Sequence, residues 1–171
     1  MDWQTFVTHL ECSQTGERYE ADVVQGLSRA GKPLLVRYDL TARGAAVSKD
    51  QLKERPAEFW RFREFLPVRK PGNVVSLGEV TTPLLRADGL QRDLGGGPLF
   101  IKDEGRLPTG SFKARGLALA VSMAKELGLR KLAIPTNGNA GAAMAAYGRR
   151  AGMEVFVFCP EDIDLARKIF T

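Results

Sequence analysis

The sequence predicts an α/β fold: a parallel sheet with flanking helices, set behind a small β-rich N-terminal segment. Two observations carry this. Beyond Val74, short apolar stretches at 99–102, 131–134 and 155–158 alternate with helix-forming stretches bounded by glycines. Such alternation with short connections gives right-handed crossovers onto a parallel sheet. Two polar loops, 105–111 and 136–141, each stand between a strand and the helix that follows it. That is the edge at which sheets of this kind bind ligands.

Taken in order, residues 1–40 form the β-rich segment. Within it, Leu34-Leu35-Val36-Arg37-Tyr38 is a strand introduced by the turn Gly31-Lys32-Pro33. Residues 41–72 form a charged linker with one short amphipathic helix. Pro56 opens that helix, Phe59, Phe62 and Phe65/Leu66 share one side, and Pro67 closes it. Its arginines read as a solvated outer face. Residues 73–171 hold the α/β part. Ser111 is a good N-cap for a helix running to about Leu127, with Gly128 just past its end. Residues 140–151 make an alanine-rich helix closed by Gly152, and a further helix starts at Asp164.

Composition narrows the function. The 171 residues are 44% hydrophobic and 26% charged, as in an ordinary globular protein. The net charge of +5 is spread thinly: residues 1–70 carry 12 Lys/Arg against 10 Asp/Glu, and the remainder 13 against 10. A nucleic-acid binder concentrates its basic residues on one face, so no nucleic-acid partner is expected. No apolar run is long enough to cross a bilayer, and Met-Asp-Trp-Gln-Thr-Phe is no secretory leader. No membrane partner is therefore expected, and the chain should be cytoplasmic. Cys12 and Cys159 suggest no disulfide framework, and Cys159 reads as a small buried hydrophobe. His9 is the only histidine, which leaves histidine-based metal sites and Ser-His-Asp catalysis without support.

The chemistry lies in the two loops. Gly105-Arg-Leu-Pro-Thr-Gly-Ser-Phe-Lys-Ala-Arg115 puts Lys113 at the mouth of a helix, directly after a glycine turn. A cation is electrostatically misplaced at a helix N-terminus, so its presence needs a reason. Gly105 and Gly110 have the spacing of a P-loop, but that motif needs Lys and then Ser/Thr right after the second glycine. Here Ser111 and Phe112 intervene. Twenty-three residues past the lysine, Thr136-Asn-Gly-Asn-Ala-Gly141 opens the next helix. Its N–H groups and amide side chains form a seat for a carboxylate or phosphate. A lysine amine beside such a seat is what an enzyme needs to bind pyridoxal 5′-phosphate (PLP) as an imine.

At these residues the chain resembles a known family. Pro108-Thr-Gly-Ser-Phe-Lys-Ala-Arg-Gly116 is similar to the lysine motif of the fold-type-II PLP enzymes, and Thr136 to Gly141 is similar to their asparagine loop. The context resembles the threonine-synthase family: Ser76-Leu-Gly-Glu79, Thr81-Thr-Pro-Leu-Leu85, Ile101-Lys-Asp-Glu104 and Ala145-Ala-Tyr-Gly-Arg-Arg-Ala-Gly152. The resemblance implies that Lys113 holds PLP and shuttles protons. Asn139 would bond the cofactor's 3′-oxygen, Phe112 would pack against the cofactor region, and Thr136, Asn137 and Gly138 would hold the substrate carboxylate. The activity implied is that of a lyase of amino-acid biosynthesis, converting O-phosphohomoserine to threonine and phosphate. A serine/threonine dehydratase-like or racemase-like enzyme is an alternative, and so is a catalytically inactive fragment or PLP-binding module.

Two departures bear on that expectation. Relatives often have Ser or Thr where this chain has Asn137 and Ala140, at the carboxylate seat. The N-terminal segment resembles a zinc ribbon whose four ligand positions read Cys12, Thr15, Leu27 and Ala30. One thiolate makes no tetrahedral zinc site, so a metal-free remnant is expected. The family's glycine-rich phosphate loop and its group facing the pyridine nitrogen come later than residue 171. A truncated chain is therefore expected, with an amino-acid substrate and, as partner, a second copy or the missing C-terminal half.

Overall fold

The computed structural model describes residues 3–41 and 47–161, and the helix expected from Asp164 lies outside them. These residues divide into two compact units. One runs through Val75 and takes in Leu119–Arg130; the other holds Ser76–Ala118 and the chain from Lys131 onward.

In the first unit, β1 (Val7–Cys12), β2 (Arg18–Tyr19) and β3 (Leu34–Tyr38) form an antiparallel sheet in the order β2-β1-β3. Its turns pass through Gly16 (φ 73°) and Gly31 (φ 66°), in the left-handed region that glycine enters without a Cβ penalty. Cys12 Sγ lies 3.1 Å from Ser28 Oγ, and the Thr15 N–H points at the same sulfur at 3.4 Å. The Lys32 N–H donates to Ser28 Oγ at 3.1 Å. The two turns are thus fastened side chain to side chain, and these bonds lower the Cys12 thiol to about 7.

A short helix, α1 (Lys49–Glu54), starts at a capping box between Ser48 and Gln51. The expected amphipathic helix after Pro56 is instead a 3₁₀ helix, Phe59–Phe65, broken at Phe62. A regular 3₁₀ turn would stack residues 59, 62 and 65 on one face, but the non-helical Phe62 (φ −97°, ψ 25°) breaks that face. Trp60 and Glu64 are buried, while Phe62 is exposed. Glu64 is tolerated inside because Arg55 grips both of its oxygens at 2.7 Å. The arginines here are not a solvated face. Arg61 donates to the Leu52 carbonyl, Arg63 lies over the Trp3 ring and Arg69 pairs with Asp22 at 2.6 Å.

The remaining strands are β4 (Leu84–Arg86), β5 (Phe100–Lys102), β6 (Lys131–Pro135) and β7 (Glu154–Phe158). The longer helices are α2 (Asp88–Leu94), α3 (Lys113–Glu126) and α4 (Asn139–Arg150). The last turns of α3 count with the first unit. There Glu126 accepts bonds from the N–H groups of Arg69 and Lys70, Ser122 Oγ accepts one from Val75 N–H, and Lys125 donates to the Gly72 carbonyl.

In the second unit, β6 and β7 run parallel through five register pairs, from Lys131↔Glu154 to Pro135↔Phe158. The strand at 99–102 departs from expectation. As β5 it pairs antiparallel with β4, in a separate two-stranded sheet. The cause is α2, which the sequence reading missed: it turns the chain back after β4, so β5 returns beside β4 in the opposite sense. Leu107, Ala114, Ala118, Ala143, Met144 and Tyr147 are buried in this unit. Cys159 is only half-buried.

α3 and α4 stop in the same way. Past each end a glycine with positive φ, Gly128 or Gly152, donates to the carbonyl three residues back. The next N–H reaches back five, from Leu129 to Ala124 and from Met153 to Gly148. α4 sits close on β7: a Cβ at Gly148 would stand 2.2 Å from Val155 Cγ2, and one at Gly141 would stand 2.6 Å from Thr136 Cγ2 and 2.8 Å from Val157 Cγ1. Phe156 and Phe158, on the alternate positions of β7, are exposed. Replacing Gly148 by Ala is expected to cost about 1–3 kcal/mol, because Val155 is branched at Cβ and cannot swing clear. Denaturant unfolding checks this, and the double variant Gly148→Ala/Val155→Ala should recover most of the loss.

Candidate active site

The lysine loop leaves β5 through a turn of 3₁₀ helix, Glu104–Arg106, buries Leu107 and bends at Pro108 to Gly110, where Gly110 has φ 68° and donates to the Leu107 carbonyl. α3 begins at Lys113, so the lysine is the first helical residue. Ser111 does not cap it. The N–H groups of Ala114 and Arg115, which a cap would receive, donate at 3.2 Å to the carbonyls of Ser111 and Phe112. Ser111 Oγ is left buried without a hydrogen-bond partner, and so is Thr109 Oγ1. Buried hydroxyls are ordinarily bonded, so both retain capacity for a further hydrogen-bond partner.

Lys113 Nζ lies 4.5 Å from the centre of the Phe112 ring, and that ring is 60% exposed. The other described lysines of this unit are engaged: Lys102 Nζ donates to the Thr82 carbonyl at 2.5 Å and Lys131 pairs with Glu154 at 2.9 Å. Lys113 alone among them has no hydrogen bond or ion pair.

Two residues further on, Arg115 ties the first turn of α3 to the β5 loop. Its guanidinium donates to both oxygens of Glu104, at 2.7 and 3.0 Å. Thr82 hydroxyl donates to the same carboxylate, and Arg115 Nη2 also faces the Val80 carbonyl at 3.4 Å. The guanidinium holds the Glu104 carboxyl far down, to about 2, with Thr82 helping against the cost of partial burial. Glu104 and Thr82 lie in stretches that sequence reading quoted without a role; the alternation of charges in Lys102-Asp-Glu104 and Arg115 is the signal available there.

The second loop joins β6 to α4. Thr136 N–H pairs with the Phe158 carbonyl at 2.8 Å, and Thr136 Oγ1 accepts the Gly138 N–H at 3.1 Å. Gly138, expected as a carboxylate donor, therefore already has its N–H turned to Thr136. α4 begins at Asn139 with no side-chain cap; the Gly141 N–H turns back to the Gly138 carbonyl at 2.9 Å, which leaves the N–H groups of Asn139 and Ala140 without intrahelical partners. Asn137 and Asn139 are exposed, and among the described residues their side chains make no hydrogen bond. The structure ties Lys113 to Phe112 and Thr136 to Gly138; it gives no direct contact between the two pairs. Behind the loop, Tyr147 of α4 is fully buried and bonds to Glu79, and burial, with that bond, pushes its phenol far up.

An unengaged amine on a helix mouth, an aromatic ring beside it, two orphaned hydroxyls and free amide groups suit an aldehyde cofactor that joins a lysine covalently and presents polar ring substituents. The class follows from fold and site together. A profile of the pyridoxal-phosphate dependent enzymes matches residues 75–170, and the chain belongs to that family.

Within it, curated relatives of the chain include threonine synthases. That of Methanocaldococcus jannaschii is 38% identical over 150 residues, covering 88% of this chain and 37% of the relative. That of Methanosarcina acetivorans is 38% identical over 154 residues, 89% of this chain and 37% of the relative. That of Halalkalibacterium halodurans is 45% identical over 100 residues, 58% of this chain and 28% of the relative. The chain thus spans little more than a third of the length of the first two.

The Arg115–Glu104 pair sets a pH dependence. Because Glu104 sits at about 2 against an ordinary 4.5, its contribution is present above about 4.5 and is lost as pH falls toward 2. The expected loss in that window is about 1–3 kcal/mol for partly exposed partners. Thermal melts between pH 7 and pH 2 should show Glu104→Gln destabilised at neutral pH and converging on the unsubstituted chain at acid pH.

Proposed function

We propose that this chain carries the lysine-bearing part of a PLP-dependent lyase of the threonine-synthase type, which converts O-phosphohomoserine to threonine and phosphate. The observation that carries this is Lys113: alone among the described lysines of its unit it makes no hydrogen bond or ion pair and lies only over the Phe112 ring, at a helix mouth that follows two orphaned hydroxyls in the chain. Lys113 Nζ is the covalent attachment point and the group that takes and returns protons at the substrate's carbons. Asn139 amide meets the cofactor's 3′-oxygen and Phe112 flanks the cofactor region. Thr136, Asn137 and Gly138 bind the substrate carboxylate; with the N–H groups of Gly138 and Gly141 turned inward, the Asn137 amide and the N–H groups of Asn139 and Ala140 are its donors. Bound there, PLP would supply the electron sink that stabilises negative charge on the amino acid's carbons.

The N-terminal sheet fits a metal-free ribbon. Its two glycine turns are joined by Cys12 and Ser28, which takes over the fastening a metal would provide. No described helix is long and apolar enough to cross a membrane.

Borohydride reduction of the chain with PLP, followed by peptide mapping, should put the pyridoxyl group on Lys113 and lose it in Lys113→Ala. Label on Lys102 or Lys125 instead would remove the assignment. O-Phosphohomoserine should perturb the visible absorbance of the loaded protein; a response to serine or threonine alone would favour the dehydratase-like activity.

A further inference from the structure

The segment Ser76–Pro83 bonds both to α4 and to the first turn of α3. Glu79, 1% exposed, stands at its centre. Its two oxygens accept three hydrogen bonds: from Ser76 Oγ at 2.7 Å, from Leu77 N–H at 2.8 Å and from the Tyr147 hydroxyl. Tyr147, itself fully buried, lies two turns along α4 from Asn139. From the next residues of the segment, the Val80 carbonyl and Thr82 Oγ1 face Arg115 Nη2 at 3.4 and 3.5 Å, two residues past Lys113. The Thr82 hydroxyl bonds to Glu104 as well, while its carbonyl accepts from Lys102. One strap is therefore anchored at one end to the helix carrying Asn139 and at the other to the turn carrying Lys113.

A buried carboxylate is costly to place even with three donors on it, and a purely apolar contact would join strap and helix more cheaply. What the hydrogen bonds add is direction. Three donors converging on one planar group hold Tyr147, and with it α4, in a single orientation.

We propose that Glu79 is a positioning residue that, through Tyr147 on one side and the Val80–Thr82 segment on the other, sets the placement of Asn139 relative to Lys113. The inference rests on the assignment of those two residues to PLP. It goes further in stating what determines the cofactor's pitch: Lys113 holds the ring at one point and Asn139 at a second, so a small rotation of α4 misaligns the ring although neither contact residue has changed.

The test uses Glu79→Gln, which keeps the shape, and Tyr147→Phe, which removes only the hydroxyl. PLP is titrated into each variant, and affinity is read together with the visible circular dichroism of the bound cofactor, which reports how rigidly the ring is oriented. Both variants should bind PLP about five- to tenfold more weakly and lose most of the visible dichroism, yet still take the borohydride label on Lys113. Glu154→Gln, at the exposed start of β7, should leave both readouts unchanged. If either buried variant does not fold, as judged by far-UV circular dichroism and a cooperative melt, Ser76→Ala removes one donor to Glu79 and should move the same readouts in the same direction. Folded variants with the affinity and dichroism of the unsubstituted chain would overturn the positioning role, and so would an equal loss in Glu154→Gln. Absence of label on Lys113 in the unsubstituted chain would overturn the PLP assignment, and the inference with it.

Discussion

A lysine as the first residue of a helix has the backbone dipole against it, and here the hydroxyl that could have capped that helix does not do so. The Arg115–Glu104 pair is what holds this turn. Its two parallel hydrogen bonds tie the helix start to the loop leaving β5, and Thr82 completes the set. Because the turn is held from behind, through Arg115, the front of the loop is released from structural duty. Ser111, Thr109 and Lys113 are left with unmet hydrogen-bonding capacity, which is the condition for binding a polar cofactor.

The same division of labour appears at the asparagine loop. Gly141 and Gly148 let α4 lie against Thr136, Val155 and Val157 at distances no side chain would permit. This close approach aims the helix N-terminus at the carboxyl end of β6 without using Asn137 or Asn139. The buried polar pair Glu79–Tyr147 then orients the helix about its axis. Small residues set how near the helix sits, and hydrogen bonds set which way it faces. Neither role could be exchanged for the other: dispersion contacts between Ala and Val side chains are almost indifferent to rotation.

In the N-terminal sheet, Cys12 is bonded to Ser28 although its four-ligand pattern counted Leu27 and Ala30. Leu27, next to Ser28 in the chain, is 67% exposed. Hydrogen bonds from Ser28 and Thr15 lower this thiol to about 7 against the cost of burial.

Much of this was legible in the sequence because it depends on neighbours along the chain. The strand at 34–38, the parallel β6–β7 pair with α4 between its strands, and the glycine stops at 128 and 152 follow from local pattern and from the conformational freedom of glycine. So does the placing of Lys113 and Asn139 at helix mouths. The tertiary structure decided what depends on residues far apart. β5 pairs antiparallel because β4 lies beside it; Phe59–Phe65 tightened to 3₁₀ and buried Trp60 and Glu64 because Arg55 was there to meet the carboxylate; Ser111 lost its cap role to two backbone carbonyls. Which lysine is left without a hydrogen bond or ion pair also belongs here. Lys102 and Lys113 are both lysines near a strand–helix junction, and only the positions of Thr82 and Phe112 in space separate them. Hydrogen bonding and burial act across distances that periodicity along the chain does not encode, so the sequence by itself determined where the chemistry lies, and the fold decided which groups are free to do it.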